Sequence, residues 1–285
     1  MPGRAPRVFK SDAIVLRHRR LGEADRIVTL LVPSRGRVDA VAKGALRPRS
    51  KLAGHLEPLT HVDVVLAHGR SMDVITQAET IEAFPAVRDD LERLSAALYL
   101  LELTMRLTHE HHEAAHAYAV LHAALLRLER GDGVHLATRT GEMALLETSG
   151  FRPEWARCIA CGEAVIAEGT VAWSASGGGV LCAGCRGQFA DAAPIDGVVL
   201  RVLRALQAGP YEAAAHIRLA PPVATAAERV MHALVEAVTE HALGSARFVA
   251  SARRANALAH AYTAATARED SAAPDGGYTG EDEGE

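Results

Sequence analysis

All four cysteines of this 285-residue chain fall in one stretch: Cys158 and Cys161, a gap of 20 residues, then Cys182 and Cys185. Two residues between paired cysteines put both sulfurs on one tight turn, and two such turns offer the four soft thiolates that tetrahedral Zn2+ takes. Gly162 follows one pair and Gly184 lies inside the other, where a residue without Cβ lets backbone amides turn toward sulfur. Four thiolates leave no coordination position for water or substrate, so the one zinc expected here is structural. Two disulfides are the competing reading. Against them, the amino terminus has no apolar stretch of signal-peptide kind, and the cytosol, the expected compartment, keeps thiols reduced.

A second spacing matches a catalytic pattern. His112, Glu113 and His116 follow His-Glu-x-x-His, which on a helix sets two imidazoles one turn apart for zinc with the Glu as general base. A zinc metallopeptidase is therefore the alternative reading. Its surroundings argue against it: His109, Glu110 and His111 make the approach polar where a zinc helix presents apolar flanks, and no third-ligand motif follows. No glycine-rich phosphate loop ending in Lys-Ser or Lys-Thr occurs, and every cysteine is committed to the metal pattern. No enzyme is expected.

Charge carries the third signal. The formal net charge is -4, but residues 1–51 hold 13 Lys and Arg against four acids, a net of +9, which leaves -13 for the rest. A basic head on an acidic body points to a polyanion as the partner of the head. The candidate phosphate contacts are Arg17, Arg19 and Arg20, with His18 between them, then Arg35 and Arg37, then Lys43, Arg47, Arg49 and Lys51. Residues 1–80 contain no Trp or Tyr and Phe9 alone of the phenylalanines, so stacking platforms for splayed bases are nearly absent. Binding is expected to be sequence-independent and strongly salt-sensitive.

The elements that must position these residues divide the chain. Residues 12–18, 26–32, 37–42, 61–68 and 72–80 read as five short strands, with a turn at 33–36 and an irregular basic connector over 43–51. Five strands with one long middle connection suit an OB-type barrel, and an SH3-like barrel fits the same pattern. Beyond Pro85, apolar residues from Val87 to Met105 lie at helical spacing, and further helices are expected over 111–130, 134–149, 194–208, 224–243 and 245–265. The expected fold is α+β and multidomain: an OB-fold barrel (1–82), an all-α domain in two parts (83–150 and 193–265) carrying the inserted four-cysteine module (151–192), and a disordered acidic tail (266–285). No apolar run approaches the roughly 20 residues that cross a bilayer.

Several runs resemble one family. Residues 10–16 (Lys-Ser-Asp-Ala-Ile-Val-Leu), 21–28 (Leu-Gly-Glu-Ala-Asp-Arg-Ile-Val), 36–45, Ser50 and residues 56–59 (Leu-Glu-Pro-Leu) are similar to the amino-terminal OB fold of the bacterial RecO recombination mediators. Phe151, Arg152 and Pro153 before the first cysteine pair, with Gly178 and Gly179 before the second, resemble the same family's carboxyl-terminal domain. Val32 and the acidic tail depart from the pattern. The resemblance implies a non-enzymatic protein that binds single- and double-stranded DNA and anneals complementary strands. It further implies action with RecR to load RecA on strands covered by single-strand-binding protein, whose acidic tail would dock on the helical domain. A monomer in isolation, nucleoid-associated during repair and with no membrane partner, is expected.

Overall fold

A computed structural model describes residues 8–110, 112–209, 211–215, 217–240, 252, 255 and 256. Five strands, β1 (Val8–Leu21), β2 (Asp25–Val32), β3 (Gly36–Ala42), β4 (His61–Ala67) and β5 (Asp73–Glu82), close a barrel in the order β1-β2-β3-β5-β4. The β3–β5 pairing is parallel and the other ladders are antiparallel. β1 is longer than its apolar residues suggest, because Phe9, Lys10 and Ser11 pair with β4 and Arg19 and Arg20 pair with β2.

The run Ala13–Leu16 is buried without alternation because both faces of β1 are covered. Ala13 and Val15 fill the barrel with Val28, Leu30, Val38, Val62, Val64 and Ile75. Ile14 and Leu16 point outward and join Leu31 and Leu59 in a core shared with the helices. The barrel is thus seated on the helical part by its own strand, and a β-bulge between Val15 and Arg17 marks where β1 leaves that seat for solvent.

The helices are α1 (Pro85–Asp89), α2 (Leu91–Leu107), α3 (Ala115–Arg130), α4 (Val134–Thr148), α5 (Gly197–Ala208), α6 (Tyr211–Ala214) and α7 (Pro221–Thr239). The apolar stripe from Val87 to Met105 is broken at Asp90, whose side chain accepts from the amides of Glu92 and Arg93 at 2.9 and 3.0 Å and so starts a new helix. The helix expected from residue 111 begins at Ala115, since the amide of Ala114 donates to Pro33 O at 2.8 Å and holds the preceding segment against the β2–β3 turn. Gly131, at φ 85°, ends α3 as its sequence position suggests. Of the helix expected over 245–265, residues 252, 255 and 256 are described and are helical; the rest of it and the acidic tail lie outside the described residues.

Residues 151–196 carry a small sheet in the order β7-β6-β8, formed by β6 (Thr170–Ser174), β7 (Gly179–Leu181) and β8 (Ala193–Asp196), which the sequence pattern did not announce. Trp155 and Trp173, ring centroids 6.3 Å apart, bury against α5 and α7 in the same core as α2 to α4. One face of α5 grips this region: Arg204 donates to Trp155 O and Val165 O, Arg201 to Ala167 O and Gln207 to Pro153 O. Spacings of three place these side chains on one side of the helix.

Candidate nucleic-acid interface and metal cluster

The β1–β2 turn and the 43–51 connector are stitched together. Leu46 N donates to Ala24 O at 2.9 Å and Gly44 N to an Asp25 carboxylate oxygen at 2.7 Å. Successive tight turns then keep the connector compact, Arg47 N donating to Gly44 O and Ser50 N to Arg47 O. This brings Arg19 and Arg20 at the end of β1 beside Lys43, Arg47, Arg49 and Lys51, all exposed and with no side-chain hydrogen bond or ion pair to a described residue. Arg17 is also exposed, and its Nε donates to Thr29 Oγ1 at 3.2 Å, which in turn donates to Asp39 at 2.6 Å.

Neighbouring charges are held in place. His18 and Arg26 converge on Glu57 at 3.0 and 2.8 Å across the mouth of the barrel. Burial pushes the Glu57 carboxyl up, but the hydrogen bonds from Arg26 and His18 outweigh it and leave the group below its ordinary value.

Arg35 and Arg37 do not join this end. They flank the far turn of β2, on the order of 20 Å away at about 3.3 Å per strand residue. Arg35 lies 2.7 Å from the buried carboxylate of Asp73 and sits over the Phe9 ring at 5.5 Å. Arg37 donates to Met105 O at 2.6 Å and faces Glu110 at 3.6 Å. Both are structural fasteners, and Phe9 is itself covered by one of them.

The four cysteines come together. Their sulfurs lie within 4.8 Å of one another, none is in a disulfide, and Cys161 Sγ stands 3.7 Å from Cys182 Sγ. Gly162, at φ 76°, turns the first knuckle after its amide donates to Cys158 O at 2.8 Å; Gly184 shows no such left-handed backbone, so the second knuckle turns without it. The first knuckle rests on β7 so closely that a Cβ at Gly179 would stand 2.7 Å from Ile159 Cγ2. Burial pushes the Cys158 thiol up, yet backbone amides of Cys182, Cys161 and Ala160 bring it down to about 6. Hydrogen bonding to Cys182 pushes Cys185 up to about 12. Four thiols this close cannot all ionise without a cation to share, so the donor set fits a soft divalent metal.

The family described as Recombination protein O N terminal matches residues 7–84, and that described as Recombination protein O C terminal matches residues 88–247. The chain belongs to the RecO family. A DNA repair protein RecO of Roseiflexus sp. is 38% identical over 248 residues, 87% of each chain. One of Symbiobacterium thermophilum is 36% identical over 250 residues, 87% of this chain and 99% of that one. One of Nocardioides sp. is 42% identical over 185 residues, 63% and 75%. As a member of the RecO family the chain is a DNA repair and recombination protein. No helix among the described residues is long and apolar enough to cross a membrane.

The RecO fold removes the metallopeptidase geometry. His112 and Glu113 precede the first turn of α3, so they and His116 do not share a helix face, and His112 Nδ1 is bonded to Glu110 O at 2.8 Å. Neither His112 nor His116 belongs to a group of three potential ligands among the described residues. Two features escaped sequence reasoning. Arg139 and Glu142 form an ion pair at 2.9 Å inside the helical core, 1% and 0% exposed. His61, Glu82 and His122 converge where the barrel meets α3. The first has an i, i+3 spacing that reads as a surface pair, and the second had no local signal.

Proposed function

We propose that this chain is a non-catalytic, DNA-binding recombination mediator whose barrel works as an OB fold. The observation that carries this reading is the barrel end where Arg19, Arg20, Lys43, Arg47, Arg49 and Lys51 gather, their side chains paired with no described residue. The strand order β1-β2-β3-β5-β4, with its long connector after β3, supports the OB assignment. Single- and double-stranded DNA are the ligands, and their phosphates supply most of the affinity. With Phe9 beneath Arg35, the described part of the barrel offers no free aromatic ring for stacking, so sequence preference is weak.

Annealing follows from the same surface. Complementary strands repel through their phosphates, and a basic end that contacts backbones lowers the repulsion while base edges stay free to pair. Cys158, Cys161, Cys182 and Cys185 would hold one structural Zn2+, which fastens the two knuckles and supplies no reacting position. In the cytoplasm, and at the nucleoid during repair, the chain would act with RecR on strands coated by single-strand-binding protein, whose acidic tail docks on the helical part, and so help load RecA. The test is annealing of complementary oligonucleotides coated with single-strand-binding protein, with and without RecR. Faster annealing is expected; a chain that neither anneals nor binds oligonucleotide at low salt overturns the reading.

A further inference from the structure

The barrel and the helical part meet at a cluster outside the proposed DNA contact. His61 opens β4 and faces Glu82, its ladder partner at the end of β5. His122 comes from α3, one helical turn beyond Tyr118. Both imidazoles aim a ring nitrogen at the same carboxylate oxygen: His61 Nδ1 lies 2.8 Å and His122 Nε2 2.5 Å from Glu82 Oε2. The ligand atoms of all three residues lie within 4.8 Å of one another. His61 is 8% exposed, whereas Glu82 and His122 keep 33% and 25%, so an ion can reach the cluster from one side.

Two imidazole nitrogens and one carboxylate oxygen are a three-ligand set that zinc accepts with a fourth position left open. Zinc bonds of about 2.0–2.1 Å at tetrahedral angles separate the donors by about 3.3 Å, so the His61–Glu82 pair needs to part by about 0.5 Å and the His122–Glu82 pair by about 0.8 Å to admit the ion. The surroundings supply what a ligating histidine needs behind it. Tyr118 Oη lies 2.7 Å from His61 Nε2, the nitrogen facing away from the carboxylate; with Nδ1 on a metal, Nε2–H would donate to that hydroxyl and fix the ring. The His61 and His122 rings are 4.5 Å apart, already gathered on one side of Glu82.

We propose that His61, Glu82 and His122 form a second divalent-cation site, of the zinc class, that clamps α3 to β4 and β5 and is independent of the four cysteines. Two ligands lie on the barrel and one on the helical part, so the bound ion stiffens the seam between them. Its fourth position faces the open side and takes water.

The experiment is titration of Zn2+ into full-length protein that has first been loaded with one equivalent, followed by calorimetry and by the shift in melting temperature. A second equivalent is expected in the wild type. His122→Ala and Glu82→Gln should each lose that second equivalent and its thermal shift while keeping the first, with unchanged circular dichroism. Co2+ added to the zinc-loaded chain should give weak visible bands without thiolate charge transfer. Uptake of one equivalent by the wild type overturns the proposal and makes the cluster a hydrogen-bonded latch only. A second equivalent that survives both substitutions but disappears in His112→Ala also overturns it, placing the ion in the exposed histidine-rich segment before α3.

Discussion

Replacing Arg19, Arg20, Lys43 and Arg47 together by Ala separates phosphate binding from fold. These side chains are exposed and make no bond to a described residue, so their removal should change stability by no more than about 0.5 kcal/mol per site. Each phosphate neutralised on a single strand contributes about 0.7 to the slope of log affinity against log salt, so losing four contacts should flatten the slope by about 3. Over a fourfold rise in salt this corresponds to roughly 50-fold less loss of affinity than the wild type suffers. Fluorescence anisotropy of a labelled oligonucleotide across a salt series reads the slope directly. Arg37→Ala is the control within the same barrel: its guanidinium is bonded to Met105 O, so the slope should stay at the wild-type value. Arg35→Ala should likewise spare the slope but lower stability by about 1–3 kcal/mol, because the Asp73 carboxylate, 7% exposed, loses its cation. An unchanged slope in the fourfold variant, or an equal loss in Arg37→Ala, would refute the assignment of the basic end as the DNA contact.

Removing metal with a chelator, or Cys158→Ser, should first loosen residues 151–196 in hydrogen exchange while β1 to β5 keep their protection, and DNA affinity should change little. The Glu57 carboxyl is held below its ordinary value, so its stabilisation is present above the unfolded value of about 4.3 and disappears as pH falls through the folded one. Urea unfolding should therefore find Glu57→Gln less stable than wild type at pH 7, with the difference vanishing toward pH 3. Arg139→Met takes the cation from a fully buried carboxylate and should cost about 3–5 kcal/mol in denaturant unfolding, whereas Arg139→Met with Glu142→Leu should recover most of it; equal loss in both variants would contradict the pairing.

Local chemistry was legible without the fold. The cysteine spacing already implied two knuckles, since ligands two residues apart share one turn whatever surrounds them. Pro33 to Gly36 and Gly131 acted as the turn and helix end their types suggest, because those preferences reside in the residue's own backbone. The strands of the barrel were visible as apolar runs, although β1 extends beyond its run through pairing partners elsewhere in the chain.

Tertiary structure decided which charges are free. Arg35 and Arg19 look alike as residues, but Asp73, 38 positions after Arg35, folds back to pair with one and no described residue pairs with the other. It also set the start of α3 through Pro33 O, which undid a zinc-helix motif whose letters were all present. The Arg139–Glu142 spacing suits an exposed helix face, yet α4 is packed by α2, α3, α5 and α7 and the pair is buried. His61, Glu82 and His122 meet only when β4, β5 and α3 are assembled. A sequence pattern reports what neighbours within a turn or a strand can do; partners brought together across tens of residues depend on which surfaces pack, and packing is a property of the whole chain.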